Sequence, residues 1–435
     1  MVQSAVTNKT QLALMGGEPI RRGQFPAYQS LGSEEKKAVM EVMDDGILSD
    51  FIASPGEKFN GGKRVQRLEE AWGEKFGVKH AIAMNSATSG LFASVGAVGV
   101  GAGDEVIVSP YNMSCSATCP FVYNAIPVFA DIEPDYFCLD PQSIRERITP
   151  YTKAIVAVSS FGQSADYSAI MSIAKEHNLM VIDDAAHVSG ARYMGKSAGT
   201  AAHVGIYSLN THKIIQCGEG GIVVTDDDEL ALRLRLIRNH AEAVVGDMCV
   251  ENIENMLGWN YRMTELEAAV AYEQLLKMDR LNAERRYLAE HLTERLKGLP
   301  GIVPTQVRDG CEHIYYVFPI LFKESEVGVS RERFVKALVA EGIPFYSRAA
   351  GYVRPYYLEP MFTQRKVYAN GCPYNCSCYK GTVDYSRGIC PVTERLYESE
   401  MIMNTYCYPP LTIKDMDDIA DAFEKVLDNV HKLRE

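Results

Sequence analysis

The sequence predicts an α/β protein built on a mainly parallel sheet with helices on both faces, followed by a smaller α+β part. Three observations carry this expectation. Between about Lys79 and Asp226, seven short runs rich in Val, Ile and Ala alternate with helix-sized segments. None of these runs has the strict apolar–polar alternation of a half-exposed strand, so the sheet is expected to be covered on both sides. After Asp226 the character changes to a long charged helix and a mixed remainder, as expected where a second unit begins.

The seven runs are HAIAMN (80–85), DEVIVSP (104–110), IPVFADI (126–132), KAIVAVS (153–159), LMVIDD (179–184), VGIYSL (204–209) and GIVVTD (221–226). ADYSAIMSIAKEHN (165–178) is one of the intervening helices, and GLFASVGAVGVGAG (90–103) reads as a short helix and turn. The stretch 264–298 places apolar residues at three- and four-residue spacing, which predicts a long amphipathic helix. Beyond it, HIYYVFPILF (313–322) reads as a strand, and RERFVKALVAEG (331–342) and MDDIADAFEKVLDNVHKL (416–433) as helices. The expected division is an N-terminal arm and helix (1–60), a large α/β domain (61–285) and a small C-terminal domain (286–435). The last carries an irregular Cys-, Pro-, Tyr- and Gly-rich insertion at 351–409. A loop of that length is usually functional.

A formal net charge of −12 and the lack of any Lys/Arg block argue against nucleic acid as a partner. No apolar run reaches the ~18 residues of a membrane span, and no secretory leader is recognisable. Eleven cysteines without a leader fit free thiols in a reducing compartment, so the expected location is the cytoplasm.

Three elements carry chemistry. Asp184 ends a buried strand, where open parallel sheets place their ligands, and a carboxylate there can hold a protonated ring nitrogen. By itself it reads equally as a helix N-cap before Ala-Ala. Asp183, next door, faces the other side of the sheet. Lys213 follows 29 residues later, on a turn between two strands and just before Gly-Glu-Gly-Gly. Such a lysine can reach the mouth of the sheet as a nucleophile or base, although a lone loop lysine is ordinarily a solvated charge. The turn Asn85-Ser86-Ala87-Thr88-Ser89-Gly90 opens a helix and offers backbone N–H groups and hydroxyls to an anion, or simply caps the helix. No GxxxxGK[ST] loop occurs, which disfavours a nucleotide triphosphatase.

In this order the elements resemble the DegT/DnrJ/StrS family of pyridoxal-phosphate-dependent aminotransferases, of fold type I. The likeness runs from GGEPIRR through GDEVIVSPY, PVFADI, DAAH, the Ser208-x4-Lys213 segment with GEGG, and NYRMTELEAA to the last helix. It implies that Lys213 holds pyridoxal 5'-phosphate covalently and is the catalytic residue. It further implies that Asp184 faces the pyridine nitrogen, that Ala87, Thr88 and Ser208 bind the phosphate, and that His187 lies near the ring's phenolic oxygen. Asn260 would reach the phosphate in the neighbouring subunit of a homodimer with shared active sites. The implied reaction moves an amino group from glutamate or glutamine, through pyridoxamine phosphate, to a keto-sugar, expected to be nucleotide-linked, in amino-sugar or antibiotic biosynthesis. Alternatives within the resemblance are a cyclitol ketone (an inosose) or an aminoshikimate-type acceptor. Sugar dehydration and a non-catalytic regulatory role are further alternatives.

Two departures bear on the cofactor. Ser86-Ala87-Thr88 replaces the usual Ser-Gly-Thr, and Asn112-Met113 stands where an aromatic usually stacks on the ring. Met113 can cover the ring with its thioether; Tyr111 is the other candidate. His212 precedes Lys213, and a one-residue slip would predict a dehydratase, but the spacing from Ser208 to GEGG puts Lys213 in register. Cys372, Cys376, Cys378 and Cys390 lack zinc-ribbon spacing and read as thiols with no metal. His313, Tyr315 and Tyr316 read as a half-buried strand face or, alternatively, as substrate contacts, and Asp417–Asp418 as a solvated helix start.

Overall fold

A computed structural model describes residues 11–345 and 354–434. Every one of the seven runs forms a strand: β1 (His80–Met84), β2 (Glu105–Val108), β3 (Ile126–Phe129), β4 (Thr152–Val158) and β5 (Met180–Asp184). A small hairpin, β6 (Arg192–Tyr193) and β7 (Lys196–Ser197), precedes β8 (Val204–Ser208) and β9 (Gly221–Thr225). The large sheet has the order β1-β9-β8-β5-β4-β2-β3. Pairs from β8 through β5, β4 and β2 to β3 are parallel, whereas β9 runs antiparallel to both β8 and β1. Helices α1 (Ser33–Asp45), α2 (Lys63–Phe76), α3 (Ala87–Ala97), α4 (Ser114–Thr118), α5 (Pro141–Arg147), α6 (Tyr167–His177) and α7 (Asp228–Arg238) accompany the sheet. The 32-residue α8 (Glu265–Leu296) leads out of it, started by a reciprocal Thr264–Glu267 cap.

Successive strand residues enter different apolar clusters. Val156, Ile182, Ile206 and Val223 join α3 and α7 on one face; Ile155, Ala157 and Val181 pack with α6 on the other, where Ile222 and Val224 meet α2 and α8. Both faces are therefore dry, which is why the runs lack alternation. The same two-residue period puts Asp184 on the face of Ile182 and Asp183 on that of Val181.

The C-terminal part holds a second sheet, β10 (Ile302–Val303), β12 (Phe318–Phe322) and β13 (Met401–Asn404), in the order β10-β12-β13 and antiparallel throughout. A two-residue strand, β11 (Cys311–Glu312), extends the β6–β7 hairpin instead. Helices Arg331–Ala340 and Ile413–Asp428 pack on the second sheet.

Two expectations need correction. Residues 313–322 are not one strand: the backbone turns left-handed at Tyr315 (φ 50°), and only Phe318–Phe322 pair. The irregular segment 351–409, part of which lies outside the described residues, contains β13, four buried residues paired along β12. MIMN is too short and too crowded by turn residues to announce itself. Residues 354–395 of that segment pack on the large sheet. Tyr357, Phe362 and Tyr385 meet Phe129 at ring distances of 5.5, 5.1 and 5.7 Å, and Tyr385 Oη donates to the Pro127 carbonyl at 2.7 Å. They cover edge strand β3, which would otherwise be exposed to further pairing.

The N-terminal arm is tied to the other end of the chain. Leu12 is buried in the C-terminal cluster. Glu341 accepts from the N–H groups of Ala13 and Ile20 at 2.8 and 3.2 Å, and Lys425 Nζ donates to the Glu18 carbonyl at 2.6 Å. No helix among the described residues is long and apolar enough to cross a membrane.

Candidate active site

At the C-terminal ends of β5 and β8 the large sheet, α8 and the second sheet enclose a cavity of about 810 Å³. Its wall includes Ser86, Ala87, Thr88, Met113, Asp184, His187, Ser208 and Lys213, seven of the eight residues implied by the resemblance plus the N-cap serine. The eighth, Asn260, is exposed and lies outside this wall. Its backbone bridges to Asn239 and its carbonyl accepts from Asn85 Nδ2 at 3.3 Å.

Asp184 Oδ2 accepts from Asn112 Nδ2 at 2.8 Å and from Ser116 Oγ at 2.5 Å, and Oδ1 accepts from the Ala186 N–H at 3.2 Å. Asn112 and Ser116 are four residues apart at the start of α4, a spacing that presents both to one point. Burial pushes the Asp184 carboxyl up, against the Ser116 hydrogen bond and the Lys213 charge, which lower it. Asp183 faces away, accepting from Ser159 Oγ at 3.0 Å, and burial pushes it up to about 7.

Lys213 lies on the β8–β9 turn, its N–H donating to the Asn210 carbonyl at 2.8 Å. Its ammonium sits over the Tyr316 ring, 4.6 Å from the centroid. The same ring stacks with His187, the centroids 4.5 Å apart. Burial, reinforced by the Lys213 charge, holds His187 well below the usual imidazole range, so it is neutral; its Nδ1 accepts from the Phe161 N–H at 3.4 Å. His212, the alternative to Lys213, is an exposed side chain on the same turn.

The anion turn is a true helix start. Ser86 caps α3 by accepting from the Ser89 N–H at 3.0 Å, and its hydroxyl pairs with Ser89 Oγ, which donates to Asn85 Oδ1. Ala87 and Thr88, the first two helical residues, keep N–H groups that have no place in the helix ladder. Gly221 explains the glycine cluster: a Cβ there would lie 2.5 Å from the Ala87 nitrogen, so only glycine lets β9 pass beneath this turn.

These residues fit pyridoxal phosphate. A buried carboxylate with one oxygen only lightly engaged suits a ring N–H, two helix-start N–H groups and the Ser208 hydroxyl suit a phosphate, and the Lys213 side chain lines the same cavity. Of the two candidates for covering the ring, Met113 lines the cavity and is half exposed, whereas Tyr111 is buried in a separate cluster, edge-on to Phe161 at 6.4 Å.

The sequence reading missed Tyr28, Arg285 and the Asn112–Ser116 pair, and of His313, Tyr315 and Tyr316, which it offered as substrate contacts or a strand face, only Tyr316 lines the cavity. Tyr316 reaches the wall because of the turn at Tyr315, which sequence pattern does not announce. The Asn112-x3-Ser116 spacing was a usable signal. The cysteines divide: Cys390 is buried under β3, while Cys372 and Cys376 bring their sulfurs to 2.8 Å, Asn124 Nδ2 lying 3.4 Å from Cys376 Sγ. Among the described residues no group of three or more His, Cys, Asp or Glu is arranged to hold a metal ion.

Among solved structures, an aminotransferase from Psychrobacter cryohalolentis superposes with a TM-score of 0.80 at 26% identity, covering 94% of this chain and all of that one. A putative L-glutamine:3-amino-2,3-dideoxy-scyllo-inosose aminotransferase from Streptoalloteichus tenebrarius is 33% identical over 98% of this chain and 100% of its own length. The L-glutamine:scyllo-inosose aminotransferase of Streptomyces griseus is 32% identical over 98% and 99%. The family model for DegT/DnrJ/EryC1/StrS aminotransferases matches residues 31–424. The cavity with its lysine, carboxylate and anion turn thus lies in a member of the DegT/DnrJ/EryC1/StrS aminotransferase family, whose enzymes depend on pyridoxal phosphate.

Proposed function

We propose that this enzyme transfers the amino group of L-glutamine to a cyclitol ketone of the scyllo-inosose type, with Lys213 as its catalytic residue. The observation that carries the chemistry is the convergence of Lys213, Asp184 and the α3 start on one cavity. The choice of acceptor rests on two supports. Relatives at 32–33% identity, matched over essentially their whole length, bear inosose names. Among the described residues, Lys213 and Arg285 are the only lysine or arginine side chains on the cavity wall, which suits a neutral acceptor better than one carrying a diphosphate. A nucleotide-linked keto-sugar, the first expectation from the sequence, is the rival.

Pyridoxal phosphate, when bound, supplies the carbonyl that accepts and returns the amino group and a ring that withdraws electrons. The protein's own groups do the rest. The N–H groups of Ala87 and Thr88 and the hydroxyl of Ser208 hold the phosphate at the positive end of α3. Asp184 keeps a proton on the ring nitrogen, its position fixed by Asn112 and Ser116. Lys213 Nζ takes the proton from the donor's Cα and delivers one to the acceptor carbon. Neutral His187, stacked on Tyr316, keeps a second positive charge away from that amine. Asn260 serves the site of a partner subunit in a homodimer, and the enzyme works in the cytoplasm in aminocyclitol or related secondary metabolism.

The test is a purified, cofactor-loaded enzyme offered glutamine or glutamate with scyllo-inosose, 2-deoxy-scyllo-inosose, and nucleotide-linked 3- and 4-keto-sugars. The expected result is kcat/KM for an inosose at least ~100-fold above any keto-sugar, a margin worth about 2.7 kcal/mol in the transition state. Preference for a nucleotide-linked sugar would replace the cyclitol reading.

A further inference from the structure

Arg285 carries a charge that the fold does not balance. It lies in the middle of α8, 4% exposed, on the wall of the cavity. Other deeply buried guanidinium groups have their charge met by a carboxylate or a set of carbonyls, although Nε and Nη2 of Arg238 and Nε of Arg331 also lack acceptors. Arg238 pairs with Glu69 at 2.6 Å, and Arg331 donates to the carbonyls of Leu396, Met401, Tyr397 and Glu398 at 2.7–3.2 Å. Arg285 has two long backbone contacts from the same Nη1, to the carbonyls of Tyr315 at 3.4 Å and Cys407 at 3.5 Å, and a hydrogen bond with the neutral Tyr28 side chain, while its Nε has no acceptor. Among the described residues no carboxylate lies within ion-pair distance. The charge rests instead between two aromatic rings, Tyr28 at 4.8 Å and Tyr408 at 5.7 Å.

Its position relative to Lys213 follows from two short bridges. Tyr28, whose ring holds the guanidinium, donates its hydroxyl to the carbonyl of Ile214, the residue after Lys213, at 2.5 Å. Tyr315, whose carbonyl accepts from Arg285, precedes Tyr316, whose ring lies under the Lys213 ammonium. A guanidinium buried without a counter-ion is costly unless an anion arrives, and its planar fork matches a carboxylate in two parallel hydrogen bonds.

Building on the glutamine-donor reading above, we infer that Arg285 is the site that grips the α-carboxylate of the amino donor and orients its Cα–H toward Lys213. The donor's carboxylate leaves with the oxo-acid product, and a neutral acceptor then enters the same cavity without using Arg285. The residue therefore determines donor specificity and not acceptor specificity. A phosphate on a nucleotide-linked acceptor is the other anion that could claim it, and the experiment separates the two.

The holoenzyme and its Arg285→Gln and Arg285→Lys variants are compared in the donor half-reaction with L-glutamine and with 4-aminobutanamide, which is glutamine without its α-carboxylate. Binding of glutaramate, glutamine without its amino group, is measured by calorimetry. Circular dichroism and thermal midpoints check that the variants fold. Arg285→Gln is expected to weaken glutamine and glutaramate about 10- to 100-fold, the range for a hydrogen bond to a charged group. Arg285→Lys falls between, and both variants leave 4-aminobutanamide and the acceptor KM within about 3-fold. Equal losses on both donors, or unchanged glutaramate binding, make Arg285 a packing residue and overturn the inference. A raised KM for a nucleotide-linked acceptor with the donor unaffected assigns it to phosphate, also overturning it. A wild-type holoenzyme that reacts with no amino acid overturns the donor reading itself, an outcome distinct from the other two.

Discussion

The cavity end of the large sheet and the segment 354–395 both bury polar side chains, but they satisfy them differently. Under β3, three tyrosine hydroxyls have protein acceptors: Tyr385 uses the Pro127 carbonyl, Tyr379 uses Glu105 at 2.6 Å, and Tyr357 uses Glu394. At the cavity, Lys213 rests on a ring face, Arg285 between two rings, and Asp184 keeps one oxygen lightly held. A polar group satisfied within the fold contributes to stability, whereas one left for a ligand contributes to binding and turnover. The difference separates the structural part of this molecule from its working part.

The largest expected effect tests the working side. Lys213→Ala should lower kcat/KM by at least ~10⁴-fold, since on the proposed mechanism it removes both a covalent anchor and a proton carrier, while the thermal midpoint stays within a few degrees of the wild type without cofactor. Transamination that persists in this variant would sink the assignment of Lys213.

Next comes the structural side. Tyr385→Ala removes a buried ring packed against Phe129, Phe362 and Tyr374 and orphans the Pro127 carbonyl. A loss of about 3 kcal/mol in denaturant unfolding is expected, with kcat/KM of the folded fraction within about 3-fold. If turnover collapses while stability holds, segment 354–395 belongs to the site and the comparison fails.

The smallest effect concerns pH. Burial pushes His313 down to about 3, whereas the unfolded chain titrates near 6.5. Between these values the unfolded state binds a proton that the folded state refuses, so this residue's contribution to stability falls as the pH drops below about 6.5. The slope is up to about 1.4 kcal/mol per pH unit. Asp183, raised to about 7, acts in the opposite sense between roughly pH 4 and 7, because its folded form holds the proton. Unfolding of wild type and His313→Gln between pH 7 and 5 isolates the histidine. The variant should lose less stability on acidification, and parallel curves would show that His313 takes up its proton in the folded state.

Legibility followed the same division. The seven strands were readable because a sheet covered on both faces forces apolar residues at every position, and Asp184 because its place at a strand end follows from period-two geometry. Lys213 alone looked like a surface charge; its order after Asp184 and before GEGG distinguished it. Tyr316 was readable only as one candidate on a presumed strand, and Arg285 not at all. Tyr316 depends on a left-handed turn at a non-glycine residue, and Arg285 on a helix register that only packing against Tyr28 and Tyr408 reveals. β13 escaped because four apolar residues in a turn-rich stretch take their strand identity from pairing with β12, not from their own pattern.

The anchoring of the N-terminal arm also sets a schedule for synthesis. Glu18 waits for Lys425, a separation of 407 residues, and Ala13 waits for Glu341. At ribosomal speeds of about 5–20 residues per second, the arm has no docking surface for roughly 20–80 s after it emerges. Tyr28, which braces both Ile214 and Arg285, shares part of that delay. Protease cleavage within residues 11–28 therefore reports whether the arm has found Glu341 and Lys425, and the cavity acquires its final wall only when Met403, Thr405 and Tyr408 have been made.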